Sequence, residues 1–191
     1  MDQLRIYFHF RSPYSRLGLH VVARAGITEA VDTLLIPFTA PAGGAPFLNP
    51  TDSMPKMRYI AEDAPRMAER MGLVSTFPRP MDPDYTPALN AFYQAREAGA
   101  ALPFTLALSD ARFSEGLNIS DPKLLSSIAV DHGLREDAMA QAVDPSTVEQ
   151  DQAMVDRDRV FGVTFAVLEK DGKKQRFWGH DRFELLVELI S

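Results

Sequence analysis

The sequence predicts an α/β protein in which a small mixed sheet is interrupted by a long, mainly helical insert. Three observations lead there. Leu4, Ile6, Phe8 and Phe10 share one parity while Arg5, Tyr7 and His9 take the other, the period-2 pattern of a strand with one face on a core. Ser12-Pro13 then supplies a cap and a first helical residue, so a helix opens there, runs to about Ala25 and ends at Gly26. Strand patterns return only in residues 31–38 and 163–178, with helix signals filling most of the chain between them.

The elements follow in order. Val31 to Phe38 is a short apolar run that fits a buried strand, parallel to the first through the helical crossover, with Pro37 near the rim. Residues 39–52 are rich in Gly and Pro and read as a surface loop whose polar amide is Asn49. Ser53 caps a helix reaching Met71 and closed by Gly72, which Pro65 is expected to kink or divide. Tyr59, Asp63 and Arg66 fall on one side of it, and Asp63 with Arg66 is best explained as an intrahelical ion pair. Residues 73–87 carry four prolines and form an irregular crossing, anchored by Phe77, Met81 and Tyr85.

Further helices are predicted from Thr86 to about Ala98, from Ala101 to Ser114, from a Ser120 cap to Gly133, from Leu134 to Ala142 and from Thr147 to Arg159. Val163 to Leu168 and Lys174 to Trp178 flank Asp171-Gly172, a hairpin signal. His180-Asp181-Arg182 opens a last helix with Phe183, Leu186, Val187 and Ile190 as its apolar stripe. This order matches a thioredoxin-like sheet, residues 1–52 and 161–191, with an all-helical subdomain inserted at 53–160.

Composition narrows the chemistry. The net charge of −6 comes from interspersed acids and bases along the chain, without the run of Lys and Arg that a nucleic-acid surface needs. No apolar run is long enough for a membrane span and no signal-peptide pattern precedes the first strand, so a cytoplasmic protein is expected. With no cysteine, the chain has no disulfide framework, no redox pair and no cysteine nucleophile. The histidines, His9, His20, His132 and His180, lack metal-ligand spacing. Sulfur chemistry here needs a thiol carried in by a ligand.

The place to receive one is the handover from first strand to first helix. Unpaired amide N–H groups and the positive end of the helix dipole favour an anion there, and Ser12 adds a hydroxyl. Capping alone also explains a Ser-Pro at this position. Nor does the bare pattern give Asp181 more than a place in a helix's first turn.

Several separated motifs in order resemble one family. These are Phe8-His9-Phe10-Arg11-Ser12-Pro13-Tyr14-Ser15, Lys56-Met57-Arg58-Tyr59 with Asp63 and Arg66, Ile119-Ser120-Asp121-Pro122, Val160-Phe161-Gly162-Val163, and Phe177-Trp178-Gly179-His180-Asp181-Arg182. Over nearly its whole length the chain resembles the 2-hydroxychromene-2-carboxylate isomerases and the related kappa-class glutathione transferases, in the DsbA-like branch of the thioredoxin superfamily. The resemblance implies glutathione as cofactor, an aromatic small-molecule substrate and a homodimer. It implies that Ser12 lies beside the glutathione sulfur, that Asp181 and Arg182 hold the γ-glutamyl end, that Asn49 and Lys56 meet the backbone and glycine carboxylate, and that the Val163 backbone bonds the cysteinyl part.

The implied chemistry is sound. A thiol of pKa near 8.5 is a few per cent ionised at neutral pH, and lowering it by about two units takes about 2.7 kcal/mol of selective thiolate stabilisation. A hydroxyl hydrogen bond and a helix N-terminus act on that scale. Arg11 is placed to meet a substrate carboxylate, and Trp178 either meets an aromatic ring or completes the core. His9 is read as structural, pointing away from the Phe8 and Phe10 face.

One position departs from the family. Thr164 stands where relatives carry a proline after a cis bond, so the peptide before it is expected to be trans. The resemblance implies a glutathione-dependent isomerase. A transferase or peroxidase, and a glutathione or small-acid binder without turnover, are the alternatives.

Overall fold

Strand β1 (Gln3–Phe8) runs through the middle of a four-stranded sheet of order β2-β1-β3-β4 in a computed structural model that describes residues 2–46, 52–135 and 142–190. It is parallel to β2 (Asp32–Pro37) and antiparallel to β3 (Phe165–Lys170), which pairs antiparallel with β4 (Lys173–Trp178). Asp171 and Gly172 turn the β3–β4 hairpin with φ of 53° and 71°, as an Asp-Gly turn requires. The parallel β1–β2 pair is joined through α1 (Pro13–Arg24), as the sequence predicts, and then through a short α2 (Ile27–Ala30) that the sequence pattern does not reveal.

The period-2 pattern sorts side chains onto two faces of the sheet. Leu4, Ile6 and Phe8 of β1, Ala166 and Leu168 of β3 and Phe177 of β4 enter a core shared with Leu19 and Val22 of α1 and with Phe183 and Leu186 of α8 (Phe183–Ile190). The same core takes Phe92 of α4 (Thr86–Glu97), Phe104 and Leu108 of α5 (Ala101–Phe113) and Leu125 of α6 (Pro122–Asp131). Gly18 permits this packing, because a Cβ there would stand 3.0–3.1 Å from the Phe183 ring and from Cγ2 of Thr164.

On the other face, Tyr7, Phe165 and Val167 pack with Ile36, Val160 and Val155 of α7 (Pro145–Asp158). The sequence pattern groups α7 with the insert, yet this helix packs on the sheet. Its Asp158, fully buried, accepts from Arg5, Tyr7 and Lys174 at 2.6 Å each. Burial pushes that carboxyl up, but the hydrogen bonds from Arg5, Lys174 and Tyr7 outweigh it and hold the group at about 2.

Several local expectations are revised. Helix α3 (Met54–Arg70) runs unbroken through Pro65. Pro65 is exposed, and so is Ala61, whose carbonyl loses its helical partner and faces water instead. In the crossing at 73–85 only Tyr85 of the three expected anchors is buried, with Phe77 and Met81 exposed. Hydrogen bonds hold the segment instead: Thr76 N–H to the Phe113 carbonyl at 2.7 Å, Arg79 N–H to the Gly116 carbonyl at 3.0 Å, and buried Arg112 to the carbonyls of Pro80 and Met81 and to the Tyr85 hydroxyl. Asp121, not Ser120, caps α6 by accepting from Lys123 N–H. The helix expected over 134–142 lies mostly outside the described residues, as does Asn49.

Candidate active site

The carboxyl end of β1 and the amino end of α1 meet at Ser12, whose N–H donates to the His9 carbonyl at 3.0 Å. Ser12 has extended backbone angles, φ −91° and ψ 114°, and its Oγ accepts from Ser15 N–H at 3.1 Å, a capping bond that steadies the hydroxyl. An oxygen that accepts there keeps its own proton to donate. The first turn of α1 contains no acidic residue, so no carboxylate of that turn offsets the positive end of its dipole. Ser12 is half-buried, within reach of a ligand arriving from solvent.

The first turn of α1 is fastened on two sides. The Tyr14 hydroxyl donates to Asp63 Oδ2 at 2.8 Å, and the Tyr14 ring stacks on His180. Asp63 also accepts from Arg66 at 3.1 Å, so the expected intrahelical pair is present, with Tyr14 as a partner that helical spacing does not reveal. Lys56 is exposed in the first turn of α3 and lies seven residues before Asp63. Seven residues return to the same face of a helix about 10 Å along its axis, so Lys56 extends the stripe that faces α1.

Asp181 and Arg182 sit in a 3-10 turn, His180–Arg182, between β4 and α8. Both are exposed, and Arg182 Nη1 is 3.4 Å from Asp181 Oδ2. Gly179 is required here. Its φ is 97°, and a Cβ on it would stand 2.5 Å from Asp181 Oδ1. His180 is buried with its Nε2 making no hydrogen bond among the described residues, and burial lowers its pKa.

The Val163–Thr164 peptide is cis, correcting the trans geometry expected from the absence of proline. The local residue pair was the only guide in the sequence; the geometry belongs to a tightly packed setting. Thr164 is fully buried, its carbonyl accepts from Gly179 N–H at 2.9 Å, and its methyl lies against Gly18 of α1. Extending the β1–β3 register past Tyr7 and Phe165 brings Val163 alongside the carboxyl end of β1. Ser12, Val163 and the Asp181-Arg182 turn thus share one end of the sheet, with α3 and Lys56 beside it.

Arg11 and Trp178 fare differently. The Arg11 guanidinium is engaged by Asp82, at 2.9 and 3.4 Å, and lies 5.1 Å from the Tyr85 ring centroid, so a substrate carboxylate competes with Asp82 for it. Trp178 is 58% exposed, which removes the core alternative. It shares the face of Phe165 and Tyr7, the side packed by α7, whereas α1 packs on the opposite side. Its indole is therefore not turned toward the helix that carries Ser12.

Sequence reasoning missed the groups that hold this end together. Arg16, buried in α1, donates to Asp110 at 2.6 Å and to the Val74 carbonyl at 3.0 Å, and His20 meets the same carboxylate at 2.9 Å. The His9 ring accepts from Arg11 N–H through Nδ1 and lies edge-on to Tyr85. Strand parity does not place it, because β1 ends at Phe8. Burial, reinforced by the Arg11 charge, lowers His9 to about 4.

Known proteins share this fold. The structure resembles that of a 2-hydroxychromene-2-carboxylate isomerase with a TM-score of 0.77, at 17% identity over 98% of this chain and 94% of the other. A probable DsbA oxidoreductase from Streptomyces coelicolor superposes at 0.76, with 16% identity over 100% and 88% of the two chains. The cytosolic disulfide reductase DsbM from Pseudomonas aeruginosa, solved with GSH, gives 0.68 at 16% identity, covering 98% of each chain. At such identities these likenesses establish the fold. A family model, the DSBA-like thioredoxin domain, matches residues 3–191, and the chain belongs to that family.

Proposed function

We propose that the protein is a glutathione-dependent isomerase of the 2-hydroxychromene-2-carboxylate type, acting on an aromatic substrate with a conjugated oxo-acid side chain. The observation that carries this function is the Ser12 hydroxyl at the amino end of α1 in a chain with no cysteine. Thiol–disulfide exchange, the chemistry in the names of two neighbours, requires an attacking thiolate. This chain has no thiol to offer, so its sulfur must come with a ligand. A neighbour named as an isomerase of this type, and another solved with GSH, support the reaction class and the thiol.

The residues fit glutathione by their chemistry. A steadied hydroxyl and a helix N-terminus without a first-turn acid favour an anionic sulfur over a neutral one. Exposed Asp181 and Arg182 match the ammonium and carboxylate of a γ-glutamyl end, and exposed Lys56 matches a second carboxylate. When bound, glutathione supplies the sulfur for reversible addition to a conjugated carbon, which makes the adjacent bond single and free to rotate before the thiol leaves.

Ser12 holds the ionised sulfur by donating its hydroxyl proton in a hydrogen bond. Asp181 and Arg182 exchange their mutual contact for the ligand's two charges, and Lys56 takes the remaining carboxylate. The Val163 backbone lies along the cysteinyl portion. Arg11 binds the substrate carboxylate in exchange for Asp82. Trp178 has no part in this arrangement.

Three measurements test it together. Millimolar glutathione raises the melting temperature; absence of a shift ends the glutathione assignment. An absorbance assay shows interconversion of hydroxychromene carboxylate, whereas conjugation of chlorodinitrobenzene without isomerisation identifies a transferase. Ser12→Ala costs about 1 kcal/mol of stability as a lost cap and lowers turnover by about a hundredfold. Unchanged turnover in that variant removes Ser12 from the chemistry.

A further inference from the structure

On the α7 side of the sheet, away from the proposed reaction, the chain passes twice through the order cation, x, cation, x, aromatic. Arg157, Arg159 and Phe161 follow one another out of α7, and Lys174, Arg176 and Trp178 follow one another along β4. In β4 the strand alternation sets all three on the face of Val167 and Phe165 and sends Phe177 into the core. In the other run Arg159 ends α7 with φ +54°, while Asp158 and Val160 turn inward and leave Arg157, Arg159 and Phe161 exposed.

The two runs meet side by side. Phe161 and Trp178 lie edge-on at 4.9 Å, both 58% exposed, and Arg157, Arg159, Lys174 and Arg176 line one open hollow with Asp158. Asp158 offsets only part of their charge: it meets Lys174 at 2.6 Å and Arg157 Nε at 3.5 Å, and neither Arg159 nor Arg176 pairs with it. Its carboxylate already accepts from Arg5, Tyr7 and Lys174, and neighbouring Glu169 is bonded to Arg5. Five cations here meet two carboxylates, an excess of positive charge in a chain whose net charge is −6.

We propose that this double row binds a nucleoside polyphosphate, its base against Trp178 and Phe161 and its phosphates among Arg159, Arg176, Arg157 and Lys174. Cations on an edge strand also block strand pairing, which accounts for Lys174 and Arg176. That role does not account for Arg157 and Arg159, which lie off the strand, or for two large rings left in water beside them. Alternate strand residues advance about 6.6 Å, so Arg176 and Lys174 stand about 7 and 13 Å along the strand from Trp178. A ring with several charges in series matches that spacing, whereas an aromatic monocarboxylate answers only one of the cations. Guanidinium forks suit phosphate oxygens, and stacking on exposed aromatic rings beside a cationic groove is a general way of holding nucleotides.

Trp178 is the sole tryptophan, so its fluorescence reports the site directly. The intact protein is titrated at low salt with ATP, with adenosine and with tripolyphosphate, exciting the red edge of the indole band. ATP is expected to quench saturably with a Kd below about 1 mM, adenosine not to bind in that range, and tripolyphosphate to compete about tenfold more weakly. The double variant Arg159→Gln/Arg176→Gln, both exposed positions, is expected to keep its melting temperature and weaken ATP at least about tenfold. Phe161→Ala is expected to weaken ATP while leaving tripolyphosphate unchanged. Absence of saturable quenching, an unaltered affinity in the double variant, or tripolyphosphate binding as tightly as ATP overturns the proposal.

Discussion

The ring of Tyr14 lies parallel to that of His180, with centroids 5.3 Å apart and planes 14° apart. This stack locks the first turn of α1, which presents Ser12, to the turn that presents Asp181 and Arg182, and the Tyr14 hydroxyl adds α3 through Asp63. Three elements far apart in the chain are thereby held at fixed spacing. A ligand that touches all three depends on that spacing. Tyr14→Phe keeps the stack and loses one hydrogen bond, a loss of about 1 kcal/mol with little change in half-saturating glutathione. Tyr14→Ala removes the stack as well, and is expected to raise half-saturating glutathione several-fold more than it lowers kcat. Steady-state kinetics at varied glutathione separates the two variants.

Gly179 gives a sharper probe of the Asp181 carboxylate. Gly179→Ala introduces a Cβ at 2.5 Å from Asp181 Oδ1 on a backbone with φ of 97°, so the carboxylate must move. Glutathione affinity, read by calorimetry, is expected to fall about tenfold or more, close to that of Asp181→Asn, because charge-assisted hydrogen bonds depend on position. Full affinity in Gly179→Ala would show that Asp181 does not hold the ligand.

Arg11 is tied to Asp82, a pair whose side chains are 31% and 35% exposed. Such a pair contributes only about 0.2–1 kcal/mol to folding, so Asp82→Asn is expected to leave stability nearly unchanged. Released from that carboxylate, Arg11 meets an anionic substrate with less competition, and KM is expected to fall a few-fold at constant kcat. An unchanged KM places the substrate carboxylate elsewhere.

His9 and Asp158 contribute to the response to acid in separate windows. His9 is lowered from 6.5 to about 4 by burial and by the Arg11 charge, so between those values the unfolded chain binds the proton more readily than the folded one. Stability is therefore complete above pH 6.5 and declines as the pH falls toward 4. Urea midpoints across this range are expected to show that slope, and His9→Phe to reduce it, the remainder coming from buried His180, which is lowered in the same sense. Proton NMR of the His9 ring gives its titration point directly.

Asp158 acts at lower pH. Burial raises its pKa, but hydrogen bonds from Arg5, Lys174 and Tyr7 prevail and bring it from 3.8 to about 2. Its contribution, about 2 kcal/mol by linkage, is present above the ordinary value and is lost as the pH falls through about 2. Asp158→Asn leaves the Arg5 guanidinium, 1% exposed, without its main partner, and is expected to cost about 3 kcal/mol or more at neutral pH. Chemical denaturation at neutral pH measures the loss.

The sequence by itself determined the strand, cap and helix at residues 3–24, the parallel β2, the Asp-Gly hairpin and the apolar stripe of α8. Each is written in periodicity or turn chemistry over a few neighbouring residues. It also located Ser12 at the head of α1 and, by lacking cysteine, excluded a thiol of the chain's own. The tertiary structure decided what depends on residues far apart. Asp158 joins Arg5 and Tyr7 across about 150 positions, Tyr14 finds Asp63 and His180, buried Thr164 follows a cis peptide, and two separated runs of cations and aromatics are brought face to face. Local preference carries no record of such pairings, because they arise only when packing the sheet against its helices brings the partners within reach.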